Sequence, residues 1–304
     1  MKELVFILSL PRSGSTLLQR ILKCSSEVEC PAEPWVLIPA LNVIEKKYEE
    51  CSEYNSISSR RAYNDFINYC GKENYINALN IFYTKVVQEE AYDKVYIDKT
   101  PRYHVFADLL MEVFPDAKFI ILDRNPLAVI ASICNSWKSG VFDLSGYEKD
   151  LHEGYISLQR FKTKHLGNRN VMSIAYEDIV EDDFDWESVF NFLNIKFDKA
   201  YLSKLSYSSF EGKMGDQVGI KKYDRISNGS RDSYVAFFSN IIRQNYLKKY
   251  KKFLLQNGVD INFEPKRRFF NGLILKDLFA AIKVFLVKKI GLNLLFRFKN
   301  KELR

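Results

Sequence analysis

The chain has 304 residues, 47% of them hydrophobic and 27% charged, and a net charge of +7. That describes one α/β domain with appendages and excludes a disordered or low-complexity chain. No run of 18 apolar residues occurs, so no spanning helix is expected. Cys24, Cys30, Cys51, Cys70 and Cys134 are scattered, and with only three histidines they form no metal-ligand spacing. The expectation is reduced thiols, no metal site and a cytoplasmic protein. The apolar run at the start is about seven residues long and leads into Pro11-Arg12 instead of a small-residue cleavage site, so no secretory leader is expected.

Leu4-Val5-Phe6-Ile7-Leu8 has the length and apolar content of a buried parallel strand. It breaks at Ser9-Leu10-Pro11, and Arg12-Ser13-Gly14-Ser15-Thr16 then leads into a helical pattern with Leu17, Leu18, Ile21 and Leu22. Strand, tight polar loop and helix aim backbone N–H groups and a helix N-terminus at one anion. A nucleotide-hydrolysing P-loop would carry G-x-x-x-x-G-K-[ST]. Here Gly14 is the only glycine of the loop, no lysine follows it, and Arg12 precedes it.

Further on, Val28-Glu29-Cys30 leads into a proline-bracketed turn, Pro31-Ala32-Glu33-Pro34-Trp35. Residues from about 40 to 91 read as a helical insert, broken by a polar loop from Cys51 to Arg61. Val95-Tyr96-Ile97 is a short strand ending in Asp98-Lys99-Thr100-Pro101, with a helix expected over 103–113. Lys118 to Leu122 is a strand ending in Asp123-Arg124-Asn125-Pro126, with a helix through Trp137. A helix over 147–165, a strand over 170–175 with Tyr176-Glu177-Asp178 at its exit, a Gly- and Ser-rich loop over 210–232 and a helix over 233–257 complete the pattern. Strands alternating with helices predict a P-loop-like, doubly wound parallel α/β sheet flanked by helices. The polar clusters fall at C-terminal strand ends, where ligands sit in such sheets. The expected division is a domain over 1–264 and a basic helical tail over 265–304. That tail carries eleven Lys and Arg against Asp277 and Glu302, leaving the other 264 residues at −2.

Taken together, P-R-S-G-S-T-L-L after an N-terminal strand, and Arg124 followed eight residues later by Ser132, resemble the sulfotransferases that use 3′-phosphoadenosine 5′-phosphosulfate (PAPS). The likeness is to the branch containing tyrosylprotein and bacterial carbohydrate sulfotransferases. It implies that Arg12, Ser13, Gly14, Ser15, Thr16 and Leu17 hold the 5′-phosphosulfate and that Arg124 and Ser132 hold the 3′-phosphate. It further implies that Tyr176 lies near adenine and that Lys221 or Lys222 closes over the cofactor from the late loop. Glu33 is the implied general base, with His104 as the backup, and Lys99 with Arg12 would stabilise the leaving charge without a metal. The bland alternatives are a solvated turn carboxylate for Glu33, a water-facing strand-end lysine for Lys99 and a core tyrosine for Tyr176.

The expected function is transfer of the sulfuryl group of PAPS to a carbohydrate hydroxyl, of a surface polysaccharide or lipid-linked glycan, releasing PAP. A protein-tyrosine acceptor is the alternative, and a metal-dependent nucleotide kinase or a non-catalytic nucleotide-binding protein are the readings outside the class. The tail interleaves Leu273, Ile274, Leu278, Phe279, Ile282, Phe285 and Leu286 with Lys276 and Lys283. That pattern suits either the anionic inner face of a membrane or packing on the protein's own core. No motif points to nucleic acid.

Overall fold

A computed structural model describes residues 1–44, 56–204, 226, 232–265 and 274–290. Five parallel strands form one sheet: β1 (Glu3–Ser9), β2 (Val28–Glu29), β3 (Val95–Asp98), β4 (Lys118–Asp123) and β5 (Val171–Ala175). Their order is β2-β3-β1-β4-β5. The central strand β1 pairs Val5 with Ile97 on one side and Ile7 with Ile120 on the other. Helices cover both faces of the sheet, so Val5 to Leu8 are all buried and the strand reads as a continuous apolar run instead of an alternating one.

The helices in chain order are α1 (Ser15–Lys23), α2 (Leu37–Ile44), α3 (Ser56–Cys70), α4 (Lys72–Glu90), α5 (Ala107–Val113), α6 (Pro126–Trp137), α7 (Tyr155–Lys164), α8 (Tyr176–Ile179), α9 (Trp186–Phe192), α10 (Ala200–Ser203), α11 (Ser233–Phe237), α12 (Ile241–Gln256) and α13 (Ile274–Ile290). The chain divides into two compact units. Met1–Arg124 with Glu153–Asn228 forms the first, and Asn125–His152 with Gly229–Arg304 the second.

In the first unit the sheet separates two cores. Leu4, Phe6 and Leu8 point to one face and pack with Tyr83 of α4, Leu110 of α5 and Phe119. Val5 and Ile7 point to the other and pack with Leu18, Ile21 and Leu22 of α1 and Phe190 of α9. Adjacent positions of β1 thus reach opposite cores, as the two-residue period requires. In the second unit Pro126 and the Asn125 side chain, which accepts from Leu127 N–H, start α6.

Three expectations are corrected. Ser56 to Arg61 begin helix α3 instead of lying in the polar loop. Serine and arginine carry no helix-stopping geometry, so a polar run of them does not by itself break a helix. The helix expected over 147–165 starts after a turn at 145–147 and passes through one π-helical stretch, Asp150–Gly154, before α7. The helix expected over 233–257 is two helices. Asn240, fully buried, accepts from the N–H groups of Ile242 and Arg243 and so begins α12 anew. The late loop with Lys221 and Lys222 lies outside the described residues.

Candidate active site

The loop between β1 and α1 is shaped by two residues with left-handed backbone, Arg12 (φ 66°) and Gly14 (φ 91°). Gly14 occupies the N-cap of α1 and so brings no side chain over the helix N-terminus. Ser13 is buried, and its Oγ has no hydrogen-bond partner among the described residues. A buried hydroxyl beside a helix N-terminus, in a loop bent by alternating backbone handedness, is the donor set of an anion cradle. Ser15, Thr16 and Leu17 form the first turn of α1.

Tyr176, at the start of α8 beyond β5, closes this loop from one side. A Cβ built on Gly14 would stand 2.3 Å from Tyr176 Cδ2, so only glycine allows the approach. The Arg124 guanidinium lies 3.9 Å from the Tyr176 ring centroid and donates from Nη1 to the Arg12 carbonyl at 2.7 Å. Arg124 is buried at the end of β4. The strand ends of β1, β4 and β5 therefore converge on one loop through Gly14, Arg124 and Tyr176. Gly14→Ala should place a methyl group inside the Tyr176 ring and force alanine into a costly φ, lowering thermal stability. A melting curve reads the loss, and an unchanged midpoint would refute it.

A second cluster forms where β2 and β3 end. Lys99 Nζ donates to Glu33 Oε1 at 2.6 Å, and their side chains are 2% and 9% exposed. Neither is the water-facing residue of the bland reading. Trp35 Nε1 donates to Glu33 Oε2 at 3.1 Å. The turn carrying Glu33 is held by α1, because the buried Gln19 amide donates to the carbonyls of Pro31 (2.6 Å) and Ala32 (3.1 Å).

Beneath Lys99 lies a carboxylate that sequence reasoning left unassigned. Asp98 is fully buried and accepts from Tyr83 OH (2.5 Å), Tyr103 OH (2.9 Å) and Thr100 Oγ1 (2.8 Å). Burial pushes its carboxyl up to about 6, against the pull of those three hydroxyls and of Lys99. Thr100 Oγ1 in turn accepts from Trp35 N–H at 3.3 Å, so a chain of hydrogen bonds runs from Asp98 through Thr100 and Trp35 to Glu33. The Asp98-Lys99-Thr100-Pro101 run could have flagged Asp98. Nothing local flags Tyr83, which lies on the insert helix α4.

Two further expected residues have these places in the fold. His104 is fully buried in the 3-10 turn Tyr103–Phe106. Ser132 lies midway along α6 in the second unit. Among the described residues no cluster of three His, Cys, Asp or Glu is arranged to hold a metal, and no helix is long and apolar enough to cross a membrane.

The sequence profile of the Sulfotransferase family matches residues 4–199, and the chain belongs to that family. It is 28% identical over 137 residues to the nodulation protein NoeE of Sinorhizobium fredii, covering 43% of this chain and 31% of that one. It is 24% identical over 230 residues to protein-tyrosine sulfotransferase A of Caenorhabditis elegans, covering 74% and 57%. The match thus spans about a third and somewhat over half of those relatives' lengths. The sulfotransferase domain from the curacin biosynthetic pathway shares the fold, with a TM-score of 0.54 at 18% identity over 86% of this chain and 99% of that one.

Proposed function

We propose that this chain transfers the sulfuryl group of PAPS to a hydroxyl of a carbohydrate acceptor. The observation that carries the reading is the buried Lys99–Glu33 contact at 2.6 Å, which joins a base and a cation from two motifs 66 residues apart. PAPS supplies the activated sulfuryl group when bound. The residues present suit it. Ser13 offers a buried hydroxyl without a partner among the described residues, and Gly14 leaves the first turn of α1 uncovered. Arg12, Ser15, Thr16 and Leu17 would complete the 5′ side, Arg124 and Ser132 the 3′ side, and Lys221 or Lys222 the closing loop.

In this reading Glu33 takes the proton of the acceptor hydroxyl. Lys99, held by Glu33 before substrates arrive, turns its charge to the sulfuryl oxygens and the departing phosphate, together with Arg12. Trp35 orients the Glu33 carboxylate through its indole N–H, and the chemistry calls on no metal. Tyr176 serves as a platform for Arg124 at the nucleotide side.

The carbohydrate acceptor draws support from the insert. Phe66 and Tyr69 of α3 and Phe82 of α4 are exposed, and Phe82 immediately precedes the inward-facing Tyr83 that binds Asp98. Aromatic faces suit the apolar faces of sugar rings. A tyrosine acceptor is the second reading, favoured by the likeness to a relative named as a protein-tyrosine sulfotransferase. Labelled PAPS offered with capsular or lipid-linked glycans, and separately with acidic tyrosine peptides, distinguishes the two.

The donor site is tested by calorimetric titration with PAP, AMP and ATP in EDTA. PAP should bind about 100-fold more tightly than AMP, from charge-assisted bonds to the 3′-phosphate, and Arg124→Ala should erase that preference. Binding that requires magnesium, or equal affinity for PAP and AMP, would refute the assignment and favour a kinase. We further propose a cytoplasmic setting, which fractionation of the native host would test.

A further inference from the structure

Helix α13 is held to the second unit by a polar lock and presents an apolar row to solvent. The lock is Asp277, fully buried, which accepts from Arg243 Nε (2.7 Å) and Nη2 (3.0 Å), Asn240 Nδ2 (2.8 Å) and Phe142 N–H (2.7 Å). Burial acts to raise the Asp277 carboxyl, but these donors outweigh it and hold the group below its ordinary value. Arg243 also donates to the carbonyls of Gly140 (2.8 Å) and Phe237 (3.2 Å), which fixes the guanidinium in place. One face of α13 is thereby fastened.

Away from Asp277 stand Leu275, Leu278, Phe279 and Ile282, which are 63%, 47%, 70% and 46% exposed. Their spacing puts all four on one stripe of the helix. Exposed leucines scattered singly need no explanation, but a row of four on one helix face, with a phenylalanine the most exposed, marks a surface that something else covers. Lys276 and Lys283, also exposed, share the next face around the helix.

Charge selects the occupant. Residues 265–304 carry a surplus of nine positive charges. A second copy on this face would bring two such segments together, and like charges across an interface oppose association. An anionic lipid surface supplies the opposite charge along with an apolar layer. We propose that α13 lies flat in the surface of an anionic bilayer. Leu275, Leu278, Phe279 and Ile282 enter the boundary between headgroups and acyl chains, and Lys276 and Lys283 contact lipid phosphates.

The test is flotation of the full chain with vesicles of phosphatidylcholine alone or with about 30% phosphatidylglycerol. The chain should float with the anionic vesicles at least about ten-fold better than with the neutral ones, and raised salt should weaken the binding. Phe279→Glu should abolish flotation while leaving PAP affinity unchanged, which keeps the result separate from the sulfotransferase reading. Lys276→Gln with Lys283→Gln should cut partition about 25-fold, at roughly five-fold per lysine. No flotation, equal flotation on both vesicle types, or flotation unaffected by Phe279→Glu would each overturn the proposal. So would a dimer in solution that Phe279→Glu dissolves, since the face would then belong to a second copy.

Discussion

Glu33→Gln should lower turnover of labelled PAPS about 10²- to 10⁴-fold while leaving PAP affinity nearly unchanged, the span expected for loss of a general base. Glutamine keeps the shape of the side chain. Its carbonyl can accept from Trp35 Nε1 or from Lys99 Nζ, so the turn stays in place, but an amide cannot take the acceptor's proton. Either single change breaks a buried pair, with Lys99 2% and Glu33 9% exposed. Glu33→Gln leaves the ammonium facing a neutral amide and loss of Lys99 strands the carboxylate, each at a cost of up to about 3–5 kcal/mol. Lys99→Met is therefore best read in the Glu33→Gln background, where no charge is stranded. If base and cation act on one transition state, the double variant turns over no more slowly than the slower single one. Fully multiplicative losses would mean that the two contribute independently. Glu33→Gln retaining turnover within about ten-fold of the parent protein would remove Glu33 as the base and turn attention to His104.

The parts of this protein written in contiguous residues were legible in its sequence, and the parts assembled across strands were not. β1, the loop at Arg12 to Thr16 and α1 occupy one run of chain, and their periodicity and composition gave the strand, the break and the helix without tertiary help. Alternation of strands and helices likewise gave the parallel sheet. Glu33 and Lys99 could each be singled out, but their direct contact depends on β2 pairing with β3, a long-range register that no local pattern encodes. Tyr83 was hidden for a different reason. On α4 it fits the apolar helical spacing, and its hydroxyl matters only because Asp98 lies opposite. Asn240 was missed because a polar residue inside a long helical pattern reads as a surface position. Its full burial, with two backbone N–H groups in its carboxamide, makes it a cap.

Asp98→Ala should destabilise the protein by about 3 kcal/mol or more, because it deprives Tyr83, Tyr103 and Thr100 of their shared acceptor and each buried hydroxyl left unpaired costs about 1–3 kcal/mol. Asp98→Asn is the more informative change. One oxygen is retained, so at least one of the three hydroxyls loses its acceptor, yet the charge is gone. The sign of the pH effect follows from the raised carboxyl. A group at about 6 in the folded protein and 3.8 in the unfolded chain binds its proton more readily when folded. Its stabilising contribution is complete below the unfolded value and is lost as pH rises through the folded one. The stability difference between the parent protein and Asp98→Asn should therefore fall by about 1 kcal/mol between about pH 5 and pH 7.5 in urea unfolding. A difference flat across that range would mean that the three hydroxyls hold Asp98 ionised throughout. The same substitution should slow turnover with little change in PAP affinity. Thr100 Oγ1, no longer committed to a carboxylate, loosens its hold on Trp35 N–H, and Trp35 stands at φ 59°, a conformation that a bulky side chain keeps only when its neighbours impose it. The indole N–H that holds Glu33 depends on that backbone, so a carboxylate buried one residue before Lys99 sets the geometry of the proposed base without touching it.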